Sequence, residues 1–198
     1  MFQLNRHSDY RKNLDPVDAT SLGMAAAEDA EAYLAWRGNA APTPLRSLPA
    51  LATELDLGAI HVKDEGSRLG LGSFKALGGS YAVVRLVLEE ASRQLGRNVA
   101  MNELHSPEVR AIAGEMTVAC ATDGNHGRSV AQGAQLVGAK SAIFVHAGVS
   151  EERVGAIARF GALMVRVKGT YDDSVAEAAR VASEKGGTVV SDTSWPGY

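Results

Sequence analysis

A second cysteine is missing. Cys120 is the only one in 198 residues, so no disulfide can close within the chain. Its place in an apolar run just before Asp123 marks it as a small buried hydrophobe rather than a nucleophile. An excess of one charge is missing too: the formal net charge is -3, with acidic and basic residues interspersed, which offers no basic stripe to nucleic acid or to an anionic membrane. No apolar run is long enough to span a bilayer. The first nine residues lack the charged-then-apolar order of a secretory signal, so a cytoplasmic location is expected. His, Cys and carboxylates do not cluster at ligand spacing, and no metal site is expected. Gly70-Leu71-Gly72 lacks the third glycine of the dinucleotide fingerprint and no Walker-type run occurs, which ranks a nicotinamide-dependent dehydrogenase last among the enzyme readings.

With 45% hydrophobic and 22% charged residues, the chain is instead that of a globular protein with a sizeable core. Periodicity suggests helices over 26–36 and 50–55, with a loop over 43–49 between them. From residue 60 the pattern alternates: strand 60–63, helix 74–95, a less regular stretch through Pro107, strand 117–121, helix 126–137 and strand 142–145. Helix 151–160, strand 163–167, helix 172–185 and strand 188–190 follow. Such alternation builds an α/β fold of open, mostly parallel twisted sheets with helices on both faces.

Two of the turns carry chemistry. In Arg68-Leu-Gly-Leu-Gly-Ser-Phe-Lys75-Ala-Leu-Gly-Gly-Ser-Tyr-Ala82, a glycine-rich turn delivers one lysine to the start of a long apolar helix. A lysine amine reacts with an aldehyde only when neutral, and shelter at a helix start favours that state. In Thr117-Val-Ala-Cys-Ala-Thr-Asp123-Gly-Asn125-His126-Gly-Arg-Ser-Val-Ala131, an apolar strand, a polar turn and a small-residue helix follow one another. Turns of this kind lie at the carboxyl ends of parallel strands, where ligands collect. Capping alone would also explain the aspartate and asparagine of the second turn. Asp64 and Glu65 follow a strand as well, but Lys63, Arg68 and solvent can satisfy them, and no catalytic role is expected there.

Ser73-Phe74-Lys75 paired with Gly124-Asn125-His126 resembles the signature of the tryptophan-synthase-β-like family of pyridoxal-phosphate enzymes, or fold type II. The fuller pattern, from Thr43-Pro44-Leu45 to Asp192-Thr-Ser-Trp-Pro-Gly-Tyr198, is most similar to the members that eliminate ammonia from 2,3-diaminopropionate. The resemblance implies a two-domain enzyme of which this is the N-terminal half: residues 1–85 with 187–198 in the large domain, and 86–186 as a smaller mobile one. The glycine-rich phosphate loop and the partner of the pyridine nitrogen are then expected beyond Tyr198. Gly78-Gly79 lies inside the lysine helix and Gly186-Gly187 reads as a helix stop, so neither fills the phosphate role.

By the same resemblance Lys75 holds the cofactor and acts as a base, and Asn125 bonds the cofactor's phenolic oxygen. Thr122, Asp123, Gly124 and His126 meet the substrate, with backbone N–H groups at a helix start suiting its carboxylate. His126 suits a packing or polar contact better than an acid role. Asp123 departs from the hydroxy-amino-acid dehydratases, which commonly carry serine there. With Asp192 it biases the pocket toward a diamine, whose second ammonium offsets the cost of desolvating the carboxylates. The implied reaction is the elimination of ammonia from diaminopropionate, of either hand, to give pyruvate and two ammonia. The alternatives are a serine or threonine dehydratase or a β-replacement synthase, and a non-catalytic relative or inactive fragment. The partner expected is a small amino acid. Leu86, Val87 and the apolar N-terminal helix leave room for a homodimer.

Overall fold

The structure is a computed structural model that describes residues 4–38 and 41–194. The end of the compared stretch, Trp195 to Tyr198, lies outside the described residues. The chain divides after Gly38 into two compact units.

The first unit holds α1 (Pro16–Leu22) and α2 (Met24–Arg37). Sequence periodicity finds α2 but not α1, whose start is set by local chemistry. Asp15 accepts from the Val17 N–H at 2.9 Å and Pro16 occupies the first helical position, where its missing N–H costs nothing.

In the second unit, β1 (Leu45–Ser47), α3 (Pro49–Glu54) and β2 (His61–Lys63) come first. β1 and β2 pair antiparallel with Arg46 opposite Val62. The expected loop over 43–49 is therefore partly a strand; its three residues are all exposed and leave no alternation to read. Then come α4 (Ala76–Leu95), α5 (Pro107–Glu115), β3 (Thr117–Ala121), α6 (Asn125–Val137), β4 (Lys140–His146), α7 (Glu151–Ala158), β5 (Leu163–Val167), α8 (Tyr171–Lys185) and β6 (Thr188–Val189). The four later strands form one parallel sheet in the order β5-β4-β3-β6.

Side-chain alternation along those strands assigns the helices to faces. Ala119, Ala142 and Phe144 pack against Ala178 and Ala182 of α8. Their neighbours Val118, Cys120 and Ile143 point the other way and are fully buried, on the side where α6 lies with Gly127 against Ile143. The sheet thus carries helices on both faces, as the sequence pattern requires.

α4 lies on α6, and small residues set their distance. A side chain on Gly79 would fall 2.8 Å from Ser129 Oγ, and one on Gly133 would fall 2.7 Å from Ser80 Cα. Across this seam Ser129 accepts from the Ser80 N–H at 2.9 Å and donates to the Ala76 carbonyl at 3.2 Å. Val83, Val84 and Val87 of α4 are fully buried, each stabilising by about 1.5–3 kcal/mol relative to exposure. Val87 is therefore spent inside the fold and does not offer the dimer surface read from the sequence. The consequence for the site is positional: the starts of α4 and α6, with Lys75 and Asn125, lie side by side.

Candidate active site

The turn before Lys75 needs left-handed backbone at three places, Leu69, Gly70 and Gly72 (φ 48, 70 and 71°). Leu69 tolerates it because its side chain is buried with Leu71 and Ala76. Arg128 of α6 fastens the turn by donating to the Leu71 carbonyl at 2.6 Å. Lys75 then caps α4. Its amine is not sheltered as expected: the side chain is 37% exposed and donates to the Asp192 carboxylate.

The turn after β3 is held by Thr122. Its buried hydroxyl accepts from the N–H groups of Gly124 and Gly127, both at 3.0 Å. A side chain on Gly127 would fall 2.3 Å from Thr122 Cγ2, so only glycine lets this cap close. Gly124 itself has φ 154° and ψ -76°, a backbone that glycine alone adopts freely. The first turn of a helix leaves N–H groups without intrahelical partners. Thr122 takes two of them, and among the described residues those of Asn125 and His126 meet no acceptor.

Asp192 follows β6, and its side chain is 25% exposed. Burial raises its pKa, but the Lys75 hydrogen bond and the nearby charges of His126 and Lys75 outweigh that and hold it below the usual carboxylate range. His126 is buried, with Nε2 2.8 Å from the Val190 carbonyl and Nδ1 4.0 Å from Asp192. Its ring ties the start of α6 to the end of β6, the polar-contact role that its position suggests. Asp123 is 59% exposed and faces His146 Nε2 at 3.2 Å.

Lys75, Thr122, Asp123, Gly124, Asn125, His126 and Asp192, the full set of residues picked from the sequence, line one cleft of about 410 Å³. That volume lies within the range of small-molecule sites, about 300–1,000 Å³. Arg128, Arg153 and Tyr171 line it too and were not picked out. Tyr171 opens α8 just past β5. Burial, followed by the charge of Asp192, raises the pKa of its hydroxyl, which stays protonated at neutral pH and can donate. Arg153 lies over Gly124 and reaches the Asp123 carbonyl at 3.4 Å. The rule that selected Asp123 and Asp192, a polar residue just past a parallel strand, also selects His146 at the end of β4 and Tyr171 after β5. It needed applying to all four strands.

Glu65 is satisfied by Arg68 at 2.6 Å as expected, whereas Asp64 pairs at 2.7 Å with Arg46 rather than with Lys63, which donates to the Thr43 carbonyl; both carboxylates lie outside the cleft. Burial pushes the Cys120 thiol pKa well up, which suits an inert core residue.

A primary amine at the cleft, a side-chain amide on Asn125 with no partner among the described residues, free helix-start N–H groups and two carboxylates form a donor set fit for a carbonyl cofactor and an amino acid. Comparison with known proteins agrees. Residues 37–197 match the family "Pyridoxal-phosphate dependent enzyme". Diaminopropionate ammonia-lyase of Salmonella typhimurium is 39% identical over 160 residues, which is 81% of this chain and 39% of that protein. The Escherichia coli diaminopropionate ammonia-lyase in complex with D-serine superimposes with a TM-score of 0.77 at 37% identity, over 88% of this chain and 44% of that one. The same enzyme in complex with an aminoacrylate-PLP azomethine reaction intermediate gives 0.72 at 36% identity, over 88% and 43%. This chain thus spans about two fifths of the curated relatives it matches. With the family matched over residues 37–197 and the fold shared with those solved structures, the chain belongs to the pyridoxal-phosphate-dependent enzymes of fold type II.

Proposed function

We propose that the enzyme containing this chain eliminates ammonia from 2,3-diaminopropionate, one molecule of which with one of water gives pyruvate and two of ammonia. The observation that carries the reading is a single cleft in which a lysine amine is accompanied by two carboxylates, Asp123 and Asp192. A neutral hydroxy-amino-acid side chain would leave one carboxylate beside the substrate's own without compensation. A β-ammonium supplies the missing charge.

When bound, pyridoxal phosphate supplies the electron sink for a carbanion at the α-carbon. Lys75 would hold the cofactor through its amine, and the same amine is placed to take the α-proton on one side. Asn125 would help hold the cofactor through its side-chain amide, and the N–H groups of Asn125 and His126 would receive the substrate carboxylate. Asp123 holds the β-ammonium protonated as a leaving group and removes the α-proton of the opposite enantiomer. Asp192, anionic at neutral pH, faces Lys75 Nζ and steadies a proton held there. Thr122 and Gly124 shape the turn. The reading includes a cytoplasmic location and a homodimer; the exposed Val17, Leu22 and Met24 of the first unit support the dimer, and sedimentation of the whole enzyme would test it.

The test is pyruvate and ammonia release by the cofactor-loaded enzyme given L- and D-2,3-diaminopropionate, L-serine and L-threonine, with Lys75→Ala as control. Turnover favouring diaminopropionate by at least about a hundredfold in kcat/KM, and lost in the control, is the expected result. Preference for serine or threonine would contradict the assignment while keeping the family.

A further inference from the structure

His146 ends β4, contributes nothing to the reaction as described, and touches Asp123. We propose that it is a positioning residue for the Asp123 carboxylate, an inference that rests on the reading above in which Asp123 meets substrate.

Three features fix the imidazole. Its Nδ1 accepts from the Gly148 N–H at 3.0 Å, which leaves the ring proton on Nε2. That Nε2 lies 3.2 Å from Asp123 Oδ1, within ion-pair range. A side chain at position 148 would fall 2.8 Å from His146 Cε1 and 3.1 Å from Nδ1, so glycine there is what lets the ring seat. The backbone that carries the ring is pinned from β5: the Arg166 guanidinium donates to the carbonyls of His146, Ala147 and Val149 at 3.4, 3.1 and 2.9 Å and pairs with Glu151 at 2.5 Å. Two polar contacts thus meet the ring, at 27% side-chain exposure, and Arg166 steadies the backbone beneath it.

Asp123 has no comparable support of its own. Its carboxylate is 59% exposed, and the nearby Arg153 bonds its backbone carbonyl rather than its side chain. An unheld aspartate at this exposure would sample several rotamers. The approach of Nε2 to Oδ1 favours one of them and leaves Oδ2 for the substrate. A base or ammonium clamp misplaced by a fraction of an ångström loses rate, and His146 is what sets that placement.

The substitutions that separate positioning from bulk structure are His146→Asn, whose amide can keep the Gly148 contact, and His146→Gln, whose amide nitrogen reaches the Nε2 position. In the cofactor-loaded enzyme, His146→Asn should lower kcat about fivefold for the diaminopropionate enantiomer that Asp123→Asn impairs most, leave the other within about twofold, and be largely rescued in His146→Gln. Equal loss for both enantiomers, no loss, or a Gln variant worse than Asn would overturn it. Independently of turnover, the cofactor-free protein with 15N-histidine should show the Nε2–H tautomer for the signal missing in His146→Asn, and that signal should shift in Asp123→Asn. An Nδ1–H tautomer, or indifference to Asp123→Asn, would overturn the pairing. Failure of the parent enzyme on diaminopropionate would remove the substrate reading while the nitrogen shifts still decide the contact.

Discussion

Two clusters of carboxylates and cations follow strands of this fold, and they differ in how completely their charges are spent. After β2, Glu65 and Arg68 are 16% and 11% exposed, bonded twice to each other and both to the Thr43 hydroxyl. Hydrogen bonds from Arg68 and then Thr43 pull the Glu65 pKa down to about 2. Lys63 donates to the Thr43 carbonyl beside them. After β3 and β6, by contrast, Lys75 and Asp123 hold one side-chain partner each, Asp192 adds only a distant His126 to Lys75, and Asn125 has none among the described residues, all on an open cleft. A saturated cluster holds a fold together; an undersaturated one keeps bonds in reserve for a ligand. Strand-end position alone does not separate the two.

Substitutions should break the symmetry between the clusters in opposite ways. The largest effect is expected at Asp192→Asn, which removes the charge facing Lys75: kcat should fall by at least about a hundredfold while Tm changes by less than about 2 °C. Thermal unfolding and steady-state kinetics on the same preparation check both halves. A Tm loss that accounts for the activity loss would place Asp192 with the structural cluster. Next comes the seam that puts the two helix starts together. Gly133→Val drives a side chain into the Ser80 backbone and should cost about 2–3 kcal/mol by denaturant titration, with cofactor affinity falling alongside. Smallest is Glu65→Gln, which should lower Tm by about 5 °C at neutral pH and leave kcat/KM within about twofold.

That last difference has a pH signature. The folded-state pKa of Glu65 lies below its ordinary value of 4.5, so the stability its carboxylate contributes is present above pH 4.5 and is lost as the pH falls from there toward about 2. The gap in Tm between the parent and Glu65→Gln should close across that window. A gap that persists below it would mean that the side chain acts through packing alone.

The extent to which the sequence could be read follows the same division. β3 and β4 are legible because a strand buried on both faces reads as a short continuous apolar run, as in Thr117–Ala121, and the more exposed β5 and β6 are legible from their Val-rich runs between helices. β1, fully exposed, has no such pattern, and α5 begins where the less regular stretch ends, its start marked by Ser106 as cap and Pro107 as first residue, a signal that needs no periodicity. At the cleft, Lys75, Asp123, Asn125 and Asp192 were found because glycine-rich turns and strand ends announce them. His146 and Tyr171 stand at strand ends too, but with no glycine-rich turn preceding them. Arg128 and Arg153 lie inside helices, and only packing brings them to the site. That Lys75 would meet Asp192, 117 residues away, follows from β6 lying beside β3, a topological fact with no local trace.

The central claim is that Lys75 is the residue that carries pyridoxal phosphate, and borohydride trapping tests it most directly. Reduction of the cofactor-loaded enzyme, followed by proteolysis and mass spectrometry, should place the phosphopyridoxyl label on the peptide containing Ser73-Phe74-Lys75, with the label absent from Lys75→Ala. A label on any other lysine, or undiminished labelling in Lys75→Ala, would contradict the assignment of the site.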